Sequence, residues 1–317
     1  MLSGAIDAVV GSHGIDVSTA AGGDSLDTEL TPANVAYYVE IIEGTNAGHR
    51  FDVASVDGST VVLATDTDIY QGPPYNTYVT SVGVPATLVG DLFLLRRHHS
   101  LDDYFPPDTN TFTPQAHTFV PGHPADRVYL YESDWVPYWI YDNSSGTAPF
   151  WDEDGDAVFL DAGSMAIPPG GGIFLAPQET TVTLVGLGIV RKNPFAMPLP
   201  QGWSLQASPF PMDQSPAERF MNHETFDGGD DPATSDTVCF WLGNQDTYLP
   251  EFRCAFLYDP MSTETPRWLY ADDEFLTARD FETEIFPRDQ SCFYYRYSAP
   301  KPRYVIPLPW CVGLIGE

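Results

Sequence analysis

The chain has 317 residues, of which 14 are Lys or Arg and 44 are Asp or Glu, so its formal net charge at pH 7 is −30. A surface with this charge repels nucleic-acid phosphates and anionic lipid headgroups, which excludes nucleic acid and charged membrane surfaces as expected partners. Hydrophobic residues make up 43% of the chain and aromatic residues 14%, which is enough apolar surface to bury a core. We therefore expect a globular fold.

The cysteines and the hydropathy pattern bear on the compartment. No stretch of eighteen apolar residues is present, so we expect no membrane span. The four cysteines, Cys239, Cys254, Cys292 and Cys311, contain no CxxC pair, which argues against a zinc site. We expect at least one disulfide, such as Cys239 to Cys254 across a hairpin; four buried thiols in a cytosolic protein are the alternative. A disulfide, high acidity and only two lysines favour an extracellular location.

In chain order, residues 1–34 are small and polar with little periodicity, and we expect a flexible N-terminal arm there. From Ala36, three short β-rich runs are separated by glycine-containing turns, among them Asp57-Gly58, a hairpin signal. They predict a β-meander over residues 35–87. Helical periodicity is scarce. The two best helix candidates, residues 100–105 and 215–223, each open with a serine followed three positions later by an acidic residue, as in a capping box.

The two helix candidates belong to a series of matching segments that predicts an internal duplication of about 110 residues. The matching pairs are SxxDxF at 100–105 with SxxExF at 215–220, DxVxLY at 126–131 with DxVxFW at 236–241, GIFL at 172–175 with SCFY at 291–294, and KxxFxxPLP at 192–200 with KxxYxxPLP at 301–309. We therefore assign residues 88–200 to β module repeat 1 and residues 201–317 to β module repeat 2. The predicted fold is mainly β, with tandem β-sandwich or small β-barrel modules, an N-terminal β-meander and very few short helices.

Calcium is the only cofactor for which the sequence offers candidate ligands. Asp152, Asp154 and Asp156 alternate around a glycine turn, and calcium favours several carboxylate oxygens on one loop. The loop lacks the EF-hand spacing, and a solvated acidic turn is the simpler interpretation. The acidic loop at residues 227–231 is a second, weaker candidate.

A run of cations and imidazoles at residues 96–99 gives a different prediction. Neighbouring residues of a strand point to opposite faces, so His98 and His99 are badly placed to share one metal ion. We expect Arg96 and Arg97 to pair with carboxylates instead.

Aromatic residues are concentrated between Tyr129 and Trp151, where eight fall within 23 residues. Strand alternation places one set toward a core and leaves a surplus for cross-strand ladders, a subunit contact or a sugar-stacking platform. The candidate binding residues are Trp135, Tyr138, Trp139 and Tyr141.

Four segments together resemble a family of uncharacterised, secreted, repeat-containing β-rich proteins of Verrucomicrobia-type bacteria. These segments are AYYVEIIEGTNAGHRFDV, the DxVxLY strand, the GGGIFL strand and PLPQGWSLQASPFPMDQSP. The resemblance extends over residues 36–310. It implies export and an extracellular or surface location, and it supplies no catalytic residues.

We therefore expect a non-enzymatic extracellular structural protein, a self-assembling subunit of a surface layer or filament. The N-terminal arm or the edge strands are the expected points of homo-oligomer or polymer contact. The alternatives are a carbohydrate-binding module, for which polysaccharide is the partner, and a virion structural component. A divergent glycosidase is a further alternative, but carboxylates are too abundant in this chain to identify a catalytic pair.

Overall fold

The structure is a computed structural model, and it is mainly β, as the sequence predicts. It describes residues 2–19, 36–64, 84–108, 112, 126–131, 135–142, 148–153, 161–167, 169–176, 193–199, 201–210, 212–241, 252–259, 265–271, 286, 291–298 and 301–306. Twenty strands form curled antiparallel sheets. Two 3₁₀ turns, Ala86–Leu88 and Pro232–Thr234, and one short α-helix, α1 (Leu101–Tyr104), complete the described elements.

Seven strands of the N-terminal third form one antiparallel sheet. They are β1 (Ser3–Ala5), β2 (Ala8–Val10), β3 (Gly14–Asp16), β4 (Tyr37–Glu43), β5 (Arg50–Asp57), β6 (Thr60–Leu63) and β7 (Leu92–Arg97). Their order is β1-β7-β4-β5-β6-β3-β2. Strands β4, β5 and β6 are consecutive neighbours, which confirms the predicted meander, and Gly58 lies in the tight turn between β5 and β6 with a φ of 60°.

The order of this sheet requires it to curl back on itself. Strands β1 and β2 occupy its two ends, yet only Ile6 and Asp7 separate them in the chain. The three Cα steps from Ala5 to Ala8 span at most about 11 Å, so the two ends of the sheet must lie close together. The backbone N–H of Ile6 donates to Asp91 on one side, and that of Asp7 donates to Asp16 on the other. The sheet therefore wraps around one apolar core, in which Ile15, Val39, Phe51, Val61 and Phe93 are buried.

The predicted N-terminal arm is wrong for residues 2–19. Strand β1 pairs with β7, and strand β3 pairs with both β2 and β6, so these residues are integral to the curled sheet. These strands are hard to predict from the sequence because each is only three residues long and lies among small and polar residues. Residues 20–34 of the predicted arm lie outside the described residues. Strand β7 also departs from the predicted boundary, because it falls in the proposed repeat 1 but pairs with β4 of the meander.

Two further sheets share one strand order. The first consists of β9 (Arg127–Tyr131), β10 (Trp135–Tyr141), β11 (Phe150–Glu153) and β13 (Ile173–Ala176), in the order β11-β10-β9-β13. The second consists of β15 (Gly202–Gln206), β16 (Thr237–Trp241), β17 (Phe252–Tyr258), β18 (Arg267–Tyr270) and β19 (Cys292–Arg296), in the order β18-β17-β16-β19-β15. Apart from β15, the two orders match strand for strand along the chain.

Strand β15 lies between the two sheets. It pairs with β19 over its whole length, and it bridges at its end to Gly171, just before β13. The Gly172 N–H donates to Leu205 at 3.2 Å, and the Ala207 N–H donates to Gly170 at 2.9 Å. A Cβ atom at Gly172 would clash with the Leu205 side chain, so this close approach requires glycine. The nine strands therefore run in a palindromic order with β15 at the centre.

Three smaller pairings follow the same pattern. Strand β8 (His99–Ser100) pairs with β12 (Ala166–Ile167), and Gln214 bridges to Phe286 at the corresponding place of the second module. Strands β14 (Phe195–Leu199) and β20 (Lys301–Ile306) end the two modules and pair with each other. Ala196 and Val305 match in the two PLP segments and lie directly opposite each other. This pairing is what a local twofold axis through that residue pair would produce.

Both predicted capping boxes are present, but only one opens a helix. Ser100 and Asp103 exchange side-chain and backbone hydrogen bonds at the start of α1. Ser215 and Glu218 make the same pair of bonds at 2.8 and 3.3 Å, but residues 215–223 form turns rather than the predicted helix. Phe220 explains the difference, because its φ of 55° is incompatible with a right-handed helix.

Each module buries one tryptophan against its capped segment. The indole N–H of Trp151 donates to the carbonyl of Phe105 at 2.8 Å, and that of Trp268 donates to the carbonyl of Met221 at 2.8 Å. Both tryptophans are buried in the apolar cluster of their own module. The two apolar clusters are thus built alike around a tryptophan, and the second also includes Phe195 and Leu199 from the end of the first module.

Arg50 joins the curled N-terminal sheet to the modules. Its guanidinium is buried, donates to the carbonyls of Pro169 and Ala196, and lies 4.2 Å from the ring centroid of Phe195. Burial lowers the pKa of Arg50 to about 10, so the side chain still carries its charge at neutral pH. One arginine therefore holds three segments of the chain together.

Replacing this arginine tests that linkage. Arg50→Met keeps a long side chain but removes the guanidinium donors, so the carbonyls of Pro169 and Ala196 lose their hydrogen bonds from this residue. We therefore expect the free energy of unfolding to fall by about 3 kcal/mol. Arg97→Met is the matched control, because Arg97 pairs with Asp103 at a half-exposed site; there we expect a loss of about 0.5 kcal/mol. Urea denaturation followed by circular dichroism measures both. Equal losses in the two variants would contradict the assigned role of Arg50.

Candidate functional site

Strand alternation gives each module sheet a core face and a second face. Val128 and Leu130 on β9 point into the core of the first module, and Val238 and Phe240 on β16 point into the core of the second. The residues between them point the opposite way. Tyr129 is one of these residues, and its position on the second face is the starting point for the candidate site.

The second faces of the two sheets share a cluster of aromatic rings, which we call the aromatic patch. Its members are Tyr129, Trp135, Phe174, Trp203, Phe252, Phe293 and Tyr295. They come from six strands, three in each sheet. Most of the ring pairs meet edge to face, a preferred arrangement for aromatic side chains.

The contact between Trp135 and Phe293 joins the two halves of the patch. Trp135 on β10 lies 5.8 Å from Phe174 in the first sheet, and its ring centroid is 5.6 Å from that of Phe293 on β19. Phe293 in turn lies 5.5 Å from Phe252 and 6.2 Å from Trp203. By position in the modules, Trp135 corresponds to Phe252, and Phe174 corresponds to Phe293. The patch is therefore built from two equivalent ring pairs around the central strand β15.

Solvent reaches the patch. The side chains of Phe174, Trp203 and Phe252 are 36%, 44% and 43% exposed, although each is a large apolar residue. The remaining four members are partly exposed. None of the seven carries a charge, in a chain whose net charge is −30. Contiguous exposed apolar surface of this kind marks binding sites on folded proteins.

The four aromatic residues proposed from the sequence separate in the structure. Trp135 belongs to the patch. Tyr138 points into the core of the first module, and Trp139 is 4% exposed, so both are buried. Tyr141 pairs with Phe150 at a ring distance of 5.2 Å, next to the edge of the sheet. Alternation along β10 separates Tyr138 from the other three but places Trp135, Trp139 and Tyr141 on one face, so it does not reveal that Trp139 is buried.

Sequence reasoning missed most of the patch. Phe174, Trp203, Phe252 and Phe293 are distant from the aromatic run at 129–151 and come together only through the sheet order. The repeat contained a usable signal, because Phe252 and Phe293 match Trp135 and Phe174 in the aligned modules. Trp203 has no counterpart, since β15 is the unmatched central strand.

The structure bears on the calcium prediction only at Asp152. This residue lies on β11 opposite Trp139 and is 1% exposed, so it faces a packed environment rather than an open loop. Asp154 and Asp156 lie outside the described residues. In the loop at residues 227–231, Asp231 caps a 3₁₀ turn and Asp227 pairs with Arg296 at 2.5 Å. Among the described residues, no three His, Cys, Asp or Glu side chains are placed to hold a metal ion.

The cysteines partly follow expectation. Cys239 and Cys254 form the predicted disulfide across the β16–β17 hairpin, where they lie directly opposite each other. Cys292 is a buried free thiol in the core of the second module. Cys311 lies outside the described residues.

A polar cleft of about 150 Å³ lies where α1 meets β7. Its lining includes Arg97, His98, Ser100, Asp102, Asp103 and Ser164. The ionic groups there are engaged internally: Arg97 binds Asp103, and His98 binds Asp52 at 2.8 Å. Burial, together with nearby carboxylates, raises the pKa of Asp102. As the sequence predicts, Arg96 also pairs with a carboxylate, that of Glu40, at 2.5 Å.

Comparison with known proteins adds no identification. No protein-family model, curated protein or solved structure matches this chain. Within the part of the chain that the structure describes, no helix has the length and hydropathy that a membrane crossing needs. The candidate site therefore stands on its geometry alone.

Cys292 provides a direct check on the core beneath the patch. Burial raises the pKa of its thiol to about 12, so almost no thiolate exists at pH 8. We expect iodoacetamide to leave Cys292 unlabelled in the folded protein at pH 8 and to label it fully in urea, as measured by peptide mass spectrometry.

The pH dependence of the same group has a defined sign. The pKa of the folded thiol lies above the unfolded value of 9.0, so its contribution to stability is complete below about pH 9 and is lost as pH rises toward 12. Cys292→Ala should therefore flatten the loss of unfolding free energy above pH 9. Fast labelling of Cys292 in the folded chain at pH 8 would show that this core is open.

Proposed function

We propose that this protein is a non-enzymatic, extracellular structural subunit that associates with copies of itself through the aromatic patch. The observation that carries the proposal is a set of uncharged, part-exposed rings at the centre of nine ordered strands. Phe174, Trp203 and Phe252 are each more than a third exposed. The disulfide supports the location, because such bonds form and persist mainly in oxidising compartments outside the cytosol.

Charge favours this patch as the contact between copies. Two chains of net charge −30 repel each other, so copies can associate only where carboxylates are sparse and where apolar burial outweighs the repulsion. The seven rings of the patch carry no charge, and the exposed ones offer apolar area that association would bury. Its aromatic composition is also typical of interface cores, where Trp, Tyr and Phe are enriched.

The matching strand orders support a duplicated module as the building unit. We infer that the two modules descend from one ancestral unit, related by a local twofold axis near Ala196 and Val305. The patch then lies where the two equivalent ring pairs meet. Self-assembly into a surface layer or filament is the proposed outcome, and the resemblance to secreted repeat-containing proteins implies the extracellular or surface location that this outcome needs.

Carbohydrate binding is the second candidate. Trp203 is 44% exposed and packs 4.9 Å from Tyr295, so its indole face is partly open to a sugar ring. Against this, three of the seven patch members are phenylalanines, which offer no hydrogen-bond donor or acceptor to hydroxyl groups. A glycan array decides between the two candidates: saturable retention of one polysaccharide class, with no self-association, would replace the proposed function.

Removing a central ring tests the contact. Trp203→Ser and Phe252→Ser each delete an exposed aromatic side chain, and loss of an interface hot spot costs at least about 2 kcal/mol, or roughly thirtyfold in the dissociation constant. Sedimentation velocity over a concentration series measures the change. Tyr104→Ser is the matched control, because Tyr104 is 50% exposed but outside the patch, and we expect unchanged association. The proposal fails if all three variants associate as the unsubstituted chain does.

Salt should strengthen the association. Raising ionic strength from about 0.1 M to about 1 M shortens the screening length from about 10 Å to about 3 Å, which weakens the repulsion between copies. Apolar contacts are not weakened by this change. We therefore expect a lower dissociation constant in 1 M sodium chloride. Weaker association at high salt would mean that ion pairs, rather than aromatic rings, hold the copies together.

A further inference from the structure

The disulfide lies on the face of its sheet that carries the patch, not on the face that packs into the second module's apolar cluster. Cys239 lies directly opposite Phe293 in the β16–β19 pair and directly opposite Cys254 in the β16–β17 pair. Residues opposite each other in an antiparallel pair share a face of the sheet, so the disulfide points the same way as Phe293. Phe252 precedes Cys254 by two residues and therefore shares that face as well.

The disulfide thus supports both aromatic members of the patch that flank it. Phe252 is the first residue of β17, and its pairing with Trp241 is the last in the described β16–β17 ladder. Cys239 and Cys254 are the next residue pair of this ladder whose side chains lie on the same face as Phe252, and the disulfide joins the two strands there. Strand ends open locally more readily than strand centres, and a covalent bond next to the end opposes that opening.

The first module has no disulfide at the position that corresponds to Cys239–Cys254. Tyr129 and Pro137 lie opposite each other in the β9–β10 pair, at the register where the second module has Cys239 and Cys254. A change in thiol redox state therefore acts on one half of the patch and leaves the other half as it is. At this register the two halves of the patch therefore differ.

We propose that the Cys239–Cys254 disulfide is a reversible redox control of self-association through the patch, an inference that rests on the proposed function. A dithiol reductant reaches Cys254, whose side chain is partly exposed, whereas Cys239 is 3% exposed. Its thiolate attacks the Cys254 sulfur and releases the Cys239 thiolate, which takes up a proton. The second thiol of the reductant then displaces Cys254, leaving two cysteine thiols and the oxidised reductant.

The third cysteine of the second module does not interfere with this step. Cys292 lies on the core face of β19, opposite Phe240, whereas the disulfide lies on the patch face. A folded chain therefore keeps Cys292 apart from the two sulfurs, so Cys292 does not compete for them on reoxidation.

The test compares association of the full chain in its two redox states. We expect dithiothreitol to raise the dissociation constant for self-association at least tenfold in sedimentation velocity, and oxidised glutathione to restore it. Peptide mass spectrometry confirms which cysteines are reduced. Cys239→Ala with Cys254→Ala should associate as weakly as the reduced chain and should not respond to dithiothreitol. Cys292→Ala, the matched control, should keep the full response.

Hydrogen–deuterium exchange of the reduced chain at low concentration separates a local effect from unfolding. We expect faster exchange in β16 and β17 and unchanged exchange in β9 and β10. Faster exchange throughout the chain would overturn the proposal, because the disulfide would then support the whole fold.

An unchanged dissociation constant after complete reduction would overturn the redox control and leave the proposed function standing. No association of the oxidised chain at any concentration would overturn both.

Discussion

The hydrogen bonds that β15 makes on its two sides determine how the modules meet. A lone strand at the edge of a sheet leaves N–H and C=O groups without partners, and β15 satisfies its own by pairing with β19 and bridging to the glycine segment before β13. Because the segment at 170–172 consists of three glycines, Leu205 can approach the backbone closely there. The joining of the two sheets into one nine-strand order, and hence the meeting of Trp135 with Phe293, depends on this connection.

The cores of the modules explain why the other face is left for contact. Each sheet buries its alternate aliphatic and aromatic residues against its own capped segment, with Trp151 and Trp268 in equivalent places. On the opposite faces, rings of β9, β10, β13, β15, β17 and β19 contact one another and remain partly exposed. Because a net charge of −30 makes copies repel each other, these uncharged rings are a surface at which copies can approach, and the proposed function follows from that.

Local signals predicted local features of the fold. The turn at Gly58 and the serine caps at Ser100 and Ser215 need only a few residues, and the structure contains all three. The disulfide between Cys239 and Cys254 could also be predicted, because a hairpin brings cysteines on its two strands together. The strands of residues 3–16 could not be predicted, since strands of three residues are too short to show a periodicity. The helix at 215–223 was mispredicted because its cap gives no sign of the backbone at Phe220.

The candidate site could not be predicted in full from the sequence, because it depends on which distant strands lie next to each other in the sheets. Residue spacing along the chain does not show that order. Trp135 was identified from its aromatic neighbours, but two of those neighbours, Tyr138 and Trp139, are buried. The most exposed patch member, Trp203, comes from the strand without a counterpart in the repeat. Position within a sheet, rather than aromatic density, separates the rings that pack inside from those that remain accessible to a partner.

The most direct test of the central claim is hydroxyl-radical footprinting of the chain at low and high concentration, with oxidation of individual side chains read by mass spectrometry. The account predicts that Phe174, Trp203 and Phe252 become protected together as copies associate, while Tyr104 and Phe220, exposed outside the patch, keep their reactivity. Protection of Tyr104 or Phe220 with unchanged oxidation of the patch rings would contradict it.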